Sequence, residues 1–211
     1  TLIGSTYNAE LAGLHETISR WVVQLSTDQS EQSSLAKRAL LNDLGQLCVF
    51  FGLEGVMAFV LPQILAFLND RKDWELRAAL FEHLPSVCHI VGRAATEEFV
   101  LPCVEIGLVD SEDQVICRVL SCLSKLVDMG LLSRSVIIGG LTPSNEKSGG
   151  RSLLRNYGAL LLHPSQDVRL GAIKIFNAAC KALGSPDCEV YVVPVLQPFL
   201  RFQPSSHHLT T

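Results

Sequence analysis

Two segments of this sequence have residue types that could bind a phosphate or a metal ion. The first is residues 139–150 (GGLTPSNEKSGG), where Lys147 and Ser148 among glycines suggest the end of a phosphate-binding loop. A Walker loop has glycine directly before that lysine, but Glu146 stands here, and no strand is predicted before the segment. The spacing therefore predicts a mobile surface loop rather than a phosphate site.

The second candidate is the acidic and histidine-bearing region in the middle of the chain. The acidic cluster at 110–113 lacks the mid-loop glycine and the closing glutamate of a calcium loop, so an inter-helix turn is predicted. His83 and His89 are six residues apart, which places them on different helical faces, and neither pairs with a cysteine at a zinc spacing. A helical enzyme with His83, Cys88 and His89 around a metal stays open as a hypothesis. The sequence predicts no cofactor, no metal and no catalytic residue.

The composition is that of a folded protein without a nucleic-acid-binding charge pattern. Of 211 residues, 48 % are hydrophobic and 18 % are charged, which is too apolar for a disordered chain. The net charge is −4 and no run of Lys or Arg occurs, so nucleic-acid binding is not predicted. The seven cysteines include no Cys-x-x-Cys pair, which predicts buried thiols in a reducing compartment. The chain begins with Thr and shows no leader, so we expect a piece of a longer protein without its own targeting signal.

One stretch, residues 47–68 (LCVFFGLEGVMAFVLPQILAFL), is apolar over 22 residues and has Glu54 as its single charge. That length would permit a membrane-spanning helix. However, Gly52, Glu54 and Gly55 lie together and predict a turn between two shorter helices. We therefore predict a helix–turn–helix in a soluble core, with a spanning helix as the alternative.

The periodicity of the apolar residues is helical almost everywhere. Leu76, Leu80, Leu84 and Val87, for example, recur at steps of three and four, which places them on one face of a helix. Thr96, followed by two glutamates, is predicted to begin the next helix. No period-two alternation argues for a sheet, so the predicted fold class is all-α. The predicted helices cover 6–27, 33–51, 54–69, 73–92, 96–109, 113–129, 131–138, 151–162, 166–183 and 186–201.

A repeat of about forty residues is visible in the tetrapeptide FVLP, which ends at Pro62 and again at Pro102. A looser copy, YVVP, ends at Pro194, and each proline is predicted to bend the first helix of its unit. The arginines follow the same period: Arg77 precedes Pro102 by 25 residues and Arg169 precedes Pro194 by 25, while Arg38 and Arg77 are 39 apart. Two helices in forty residues is the HEAT pattern, and such units stack into an α-solenoid.

The predicted organisation is a single HEAT-repeat solenoid domain of about five hairpins over residues 1–202. It is interrupted by the insert loop 139–150 and followed by a linker tail, residues 203–211. Asp73 is predicted to cap a helix, while Arg77 and Arg169 are predicted to reach acidic side chains in the inter-helix turns and so form a ladder. Trp74 is predicted to anchor a neighbouring repeat or a partner, and a ligand held by Asp70 and Arg77 is the alternative. The complete structural repeat signature is Pro62, Asn69, Asp70, Asp73, Trp74, Arg77, Pro102, Asp167, Arg169 and Pro194.

Particular strings in the chain are more specific than HEAT periodicity. FLNDRKDWELRAALF at 67–81 and KRALLNDLGQLCVFFG at 37–52 resemble the HEAT-repeat region in the protein-kinase-like regulatory subunit of class III phosphatidylinositol 3-kinase. The segments 107–132, 160–183 and 190–200 are similar to the same family. The resemblance extends from about residue 33 to residue 202.

This resemblance implies a non-catalytic scaffold that joins a kinase-like domain to a β-propeller, for endosomal sorting and autophagy. The implied partners are protein subunits: the class III lipid kinase catalytic subunit and the Beclin-like and targeting coiled-coil subunits. The implied location is cytoplasmic and peripheral to endosomal and autophagic membranes, with membrane contact only through the complex. The alternative is a HEAT-repeat protein-binding module of another system, such as a transport receptor, coat adaptor or phosphatase scaffold.

Overall fold

The computed structural model describes residues 2–28, 30–139 and 157–199. Within these ranges every regular element is helical, which confirms the predicted all-α fold class. The predicted insert loop 139–150, apart from Gly139, and the tail 203–211 lie outside the described residues. The α-helices are α1 (Leu2–Thr27), α2 (Glu31–Asn42), α3 (Leu44–Gly55), α4 (Leu61–Leu65), α5 (Trp74–Ala95), α6 (Leu101–Gly107), α7 (Asp113–Asp128), α8 (Arg134–Ile138), α9 (Gln166–Leu183), α10 (Ser185–Asp187) and α11 (Val193–Leu196).

The chain forms two compact units, Thr1–Cys122 and Leu123–Thr211. The core of the first unit contains the apolar faces predicted from the periodicity, and Leu76, Leu80 and Leu84 of α5 are each 0 % exposed. In the second unit, Val168, Ala172 and Ile175 form the buried face of α9. Burial of such faces is the main favourable contribution to the stability of a helical hairpin, because helices this short are marginal on their own.

Hydroxyl and carboxylate side chains cap the helices where the chain changes direction. Asp73 precedes α5, and its Oδ1 accepts a hydrogen bond from the N–H of Leu76 at 2.9 Å. Ser30 caps α2 in the same way by accepting the N–H of Ser33 at 3.3 Å. Thr96 was the wrong choice for a helix start: its side chain is buried, and its hydroxyl donates to the carbonyl of Gly92 at 2.8 Å.

The turn that Thr96 was predicted to mark is made by a glycine four residues earlier. Gly92 has φ 81° and ψ 177°. Two other glycines have nearly the same geometry: Gly52 has φ 67° and ψ 175°, and Gly184 has φ 80° and ψ 169°. A Cβ added at any of these three positions would meet nothing within 4 Å. Glycine is therefore required by the left-handed backbone and not by a lack of space.

Each of these glycines is followed ten residues later by one of the repeated prolines, Pro62, Pro102 or Pro194. The residue before each proline closes a π-helical turn, as when the N–H of Leu61 donates to the carbonyl of Val56. In an ordinary α-helix the proline ring would clash with the carbonyl four residues back. The wider π turn relieves this clash, and Leu61 keeps helical φ and ψ angles before its proline. The backbone leaves the helical φ and ψ region at the glycine. The three π turns are Val56–Val60, Thr96–Val100 and Cys188–Val192.

We call these stretches, residues 52–62, 92–102 and 184–194, the glycine–proline segments. The first lies inside the apolar region Leu44–Asn69, which is long and apolar enough to cross a membrane by length and composition. An 18-residue window of this region has a mean hydropathy of 1.9, and 28 % of that window is buried within the chain. The break at Gly52 divides the region into two helical pieces, as the helix–turn–helix interpretation predicts.

Candidate functional site: the charge ladder

Part of the repeat signature, Asn69, Asp70, Asp73, Trp74 and Arg77, lies at one turn between helices of the first unit, next to a buried lysine. Lys37 of α2 is only 3 % exposed. Its Nζ donates to the carbonyl oxygen of Asp28 at 2.6 Å and lies 3.8 Å from the carboxylate of Asp70. The same ammonium group stands 5.8 Å from the centre of the Phe67 ring. These contacts compensate for the cost of removing a charged group from water.

Forty residues later, Arg77 of α5 occupies the corresponding position. It is 6 % exposed, and its Nη1 donates to the carbonyl oxygen of Asp70 at 2.8 Å. Its Nε and Nη2 donate to the two carboxylate oxygens of Asp110 at 2.7 and 2.8 Å. Lys37 and Arg77 therefore each bind a carbonyl of the turn before their own helix and a carboxylate. We call Lys37, Asp70, Arg77 and Asp110 the charge ladder.

In the second unit, Arg169 also binds carbonyl oxygens of the turn before its own helix. Its Nη1 donates to the carbonyl oxygens of His163 and Pro164, both at 2.7 Å. No ion pair of Arg169 occurs among the residues that the structure describes, so it holds its turn through backbone carbonyls instead of an acidic side chain. Asp167 lies in the first turn of α9, where a negative charge is favourable to the helix dipole.

The turn before α5 is fixed by further polar contacts. The Oδ1 of Asp70 accepts the N–H groups of Lys72 and Asp73, both at 3.2 Å. The hydroxyl of Ser34 donates to the carboxylate of Asp73, and Arg38 pairs with Glu75. These contacts join α2 to the start of α5.

Asn69 and Trp74 lie beside this turn and line cavities in it. Asn69 ends a 3₁₀ turn and borders a cavity of 530 Å³, which Lys37 and Asp70 also line. Trp74 is the first residue of α5, is 39 % exposed, and borders a second cavity of 310 Å³. Trp74 is therefore partly exposed at this turn, and its role as an anchor for a neighbouring repeat or a partner stays a prediction.

The electrostatics of the ladder favour its charged forms. The Arg77 guanidinium lowers the pKa of the Asp110 carboxyl, against the opposing effect of burial. In return, the hydrogen bonds to Asp110 raise the pKa of Arg77. At Asp73 burial acts to raise the pKa, but the hydroxyl of Ser34 and the N–H of Leu76 outweigh it, so the pKa falls. Carboxylates that accept such hydrogen bonds stay ionised and serve as structural anchors.

The residues considered for metal or nucleophilic chemistry do not come together. Within the described ranges, no group of three or more His, Cys, Asp or Glu side chains lies close enough to hold a metal ion. Cys88 is buried, and this burial raises the pKa of its thiol to about 11, which is the opposite of an activated nucleophile. His83 is half-buried and His89 is exposed.

Sequence reasoning missed two members of the ladder. It paired Arg38 with Arg77, but Lys37 is the buried residue and lies forty positions before Arg77, the same interval that separates Pro62 from Pro102. It assigned Asp110 only to an inter-helix turn, although this is the carboxylate that Arg77 binds. The forty-residue interval, applied strictly, is the signal that would have identified Lys37.

Helical hairpins tied by buried charges at their turns define a helical-repeat domain, and the comparisons with known proteins agree with this class. The crystal structure of Cex1p matches with a TM-score of 0.66 over 88 % of this chain and 32 % of that chain. Because the two sequences are only 17 % identical, the match shows the fold alone. The sequence comparisons are more specific, since the family described as PIK3R4-like, middle domain, matches residues 3–210.

Two curated proteins are similar to this chain over most of its length. The chain is 36 % identical over 194 residues to the probable serine/threonine-protein kinase vps15 of Dictyostelium discoideum, which covers 92 % of this chain and 9 % of that protein. It is 35 % identical over 199 residues to the serine/threonine-protein kinase VPS15 of Arabidopsis thaliana, covering 94 % of this chain and 12 % of that protein. The chain belongs to the PIK3R4-like middle domain family, which confirms the resemblance found in the sequence. It spans about a tenth of these relatives and lies outside their kinase domain, so this segment is not the enzyme part.

Proposed function

We propose that this chain is the non-catalytic scaffold segment of a Vps15-type regulatory subunit of class III phosphatidylinositol 3-kinase. In this proposal it joins the kinase-like domain of the parent protein to its β-propeller. It also docks the lipid kinase catalytic subunit and the Beclin-like and targeting coiled-coil subunits, for endosomal sorting and autophagy. The parent complex works in the cytoplasm at endosomal and autophagic membranes.

The observation that supports a scaffold role is the charge ladder. Arg77 binds the carbonyl of Asp70 in one turn and the carboxylate of Asp110 in the next, so a displacement of either turn would break buried, charge-assisted hydrogen bonds. A segment whose turns are tied in this way resists bending under load. A binding module that adapts to many partners needs no such rigidity.

The test is affinity purification of the full-length parent protein, with quantitative mass spectrometry of the recovered subunits. We expect the lipid kinase and the coiled-coil subunits with the wild-type protein, and less of them with Arg77→Ala. The Arg118→Ala variant is the matched control, because the Arg118 pair with Glu82 is half-exposed and its atoms are 3.6 Å apart. The chain alone should show no ATP turnover.

Recovery of transport or coat cargo without lipid kinase subunits would reject the proposal in favour of a module of another system. Equal recovery of the lipid kinase with the wild-type protein, Arg77→Ala and Arg118→Ala would contradict the scaffold role of the ladder. Circular dichroism of each variant separates loss of docking from loss of folding.

A further inference from the structure

Two cysteines in the second unit face each other across the turn at Gly184. Cys180 lies in the last turn of α9, and Cys188 begins the π turn that follows Gly184. Their Sγ atoms are 2.7 Å apart, although both residues are free thiols. Non-bonded carbon atoms pack at about 3.5–4.0 Å, and a disulfide bond measures about 2.04 Å. The two sulfurs are therefore inside ordinary contact distance but not bonded.

The other two glycine–proline segments provide an internal comparison. The residue four positions before the glycine is a cysteine in all three: Cys48, Cys88 and Cys180. The residue four positions after it differs and is Val56, Thr96 or Cys188. The two positions are also close in the second segment, where the Thr96 side chain acts to lower the pKa of the Cys88 thiol against the larger effect of burial. Only the third segment places a thiol on both sides.

Access to solvent separates this pair from its counterparts as well. Cys48 and Cys88 are buried, whereas Cys180 and Cys188 are both partly exposed. The third pair is therefore more accessible to a small oxidant than Cys48 or Cys88. The two sulfur atoms are already adjacent, so an oxidised Cys180 or Cys188 can form a disulfide with the other thiol without a large movement of the backbone.

We propose that Cys180 and Cys188 form a thiol modification site, which hydrogen peroxide oxidises to an intramolecular disulfide and a small thiol reduces again. One thiolate attacks a peroxide oxygen, the O–O bond breaks, and the products are a sulfenic acid and a hydroxide that is protonated to water. The second sulfur then attacks the sulfenic sulfur, the S–S bond forms, and the displaced hydroxide leaves as water with the second thiol proton. Two electrons pass from the two thiols to one peroxide, giving one disulfide and two waters.

The site is a slow peroxide target and not a peroxidase. Burial, reinforced by the neighbouring Cys188, raises the pKa of the Cys180 thiol to about 12, so little thiolate is present near neutral pH. The advantage of the site is the fixed proximity of its resolving thiol. Once one sulfur is oxidised, closure of the disulfide competes well with further oxidation.

Peptide mapping of the full-length parent protein tests the proposal. The protein is treated with hydrogen peroxide, alkylated with N-ethylmaleimide, and digested with trypsin without reduction. Trypsin cleaves after Lys181, so Cys180 and Cys188 fall into separate peptides, 175–181 and 182–201. We expect these peptides linked, with a mass lower than their sum by two hydrogen atoms, and released again by dithiothreitol.

The matched variants come from the chain itself. Cys188→Thr and Cys188→Val place at this position the residues of the other two segments, so the turn should be preserved. Both variants should lose the linked peptides and leave Cys180 free for alkylation. The proposal is overturned if peroxide leaves both wild-type peptides alkylated or oxidised separately, or if Cys180 is linked equally to other cysteines. The wild-type measurement decides the question even if a variant does not fold.

Discussion

Arg77 and Asp110 are joined by two hydrogen bonds of 2.7 and 2.8 Å although 33 residues separate them in the chain. Their side chains are only 7 % and 11 % exposed. The remaining Nη1 of Arg77 is used by the carbonyl of Asp70, so one guanidinium ties two successive turns. Both charges are removed from water, and removing either partner would leave the other buried and uncompensated.

Replacing Arg77 should therefore destabilise the first unit far more than replacing an exposed arginine. For Arg77→Ala we expect a loss of about 3 kcal/mol in the free energy of unfolding, measured by urea denaturation followed by circular dichroism. Arg118→Ala is the control, and its half-exposed pair with Glu82 should contribute no more than about 0.5 kcal/mol. Equal losses in the two variants would show that burial of the Arg77 pair has no special weight.

Acid should remove part of this stability. The pKa of Asp110 in the folded chain lies below its ordinary value of 3.8, so the stabilisation is fully present above that pH. As the pH falls through 3.8, Asp110 is protonated in the unfolded chain before it is protonated in the folded chain. The contribution of Asp110 to stability is therefore lost between pH 3.8 and its lower pKa in the folded chain. Denaturation midpoints between about pH 5 and pH 2 measure this slope. Asp110→Asn should flatten it, and an unchanged slope in that variant would assign the acid sensitivity to other groups.

Glycine at the start of each glycine–proline segment should be needed for its backbone conformation alone. Gly92→Ala should destabilise by about 1–3 kcal/mol, because its φ of 81° is in a region that alanine avoids. Gly45→Ala is the matched control: a Cβ there also meets nothing within 4 Å, but the backbone is helical. We expect that variant to be neutral or more stable by about 0.5 kcal/mol. Similar thermal midpoints for the two variants would contradict the assignment.

Gly107 should be required for the opposite reason, which is space. A Cβ at this position would stand 2.5 Å from Cζ of Phe81 and 2.7 Å from Cγ2 of Val119. Gly107→Ala should therefore cost about 1–3 kcal/mol through overpacking between α5, α6 and α7. The added substitution Phe81→Leu removes ring atoms at this contact, so the alanine should cost less in that background. If the alanine costs the same in both backgrounds, crowding against the ring is not the cause.

The sequence predicted the fold class and most helix limits because apolar residues at steps of three and four leave few alternatives to helical hairpins. It placed the helix start at Thr96, because threonine is a preferred N-cap residue and two glutamates follow it. The structure instead buries Thr96 and turns at Gly92, where a positive φ is required. Local capping preference was overridden by a backbone requirement that recurs at Gly52 and Gly184.

The charge ladder was only half predictable for a different reason. Arg77 and Asp73 could be identified from their positions at the start of a helix. The partner of Arg77 could not, because Asp110 lies in the turn of the next hairpin and the pairing depends on how hairpins stack. The sequence analysis chose Arg38 in place of Lys37, because adjacent residues on a helix point in different directions and the sequence alone did not show which of the two is buried. In the structure the buried residue is Lys37.

A double-mutant cycle on Arg77 and Asp110 tests most directly whether the buried pair holds successive turns together. The free energy of unfolding is measured for the wild type, Arg77→Ala, Asp110→Ala and the double variant. A pair that acts as a unit should give a coupling energy of at least about 1.5 kcal/mol. A coupling energy within about 0.5 kcal/mol of zero would mean that the two residues act independently, and the ladder would not tie one turn to the next.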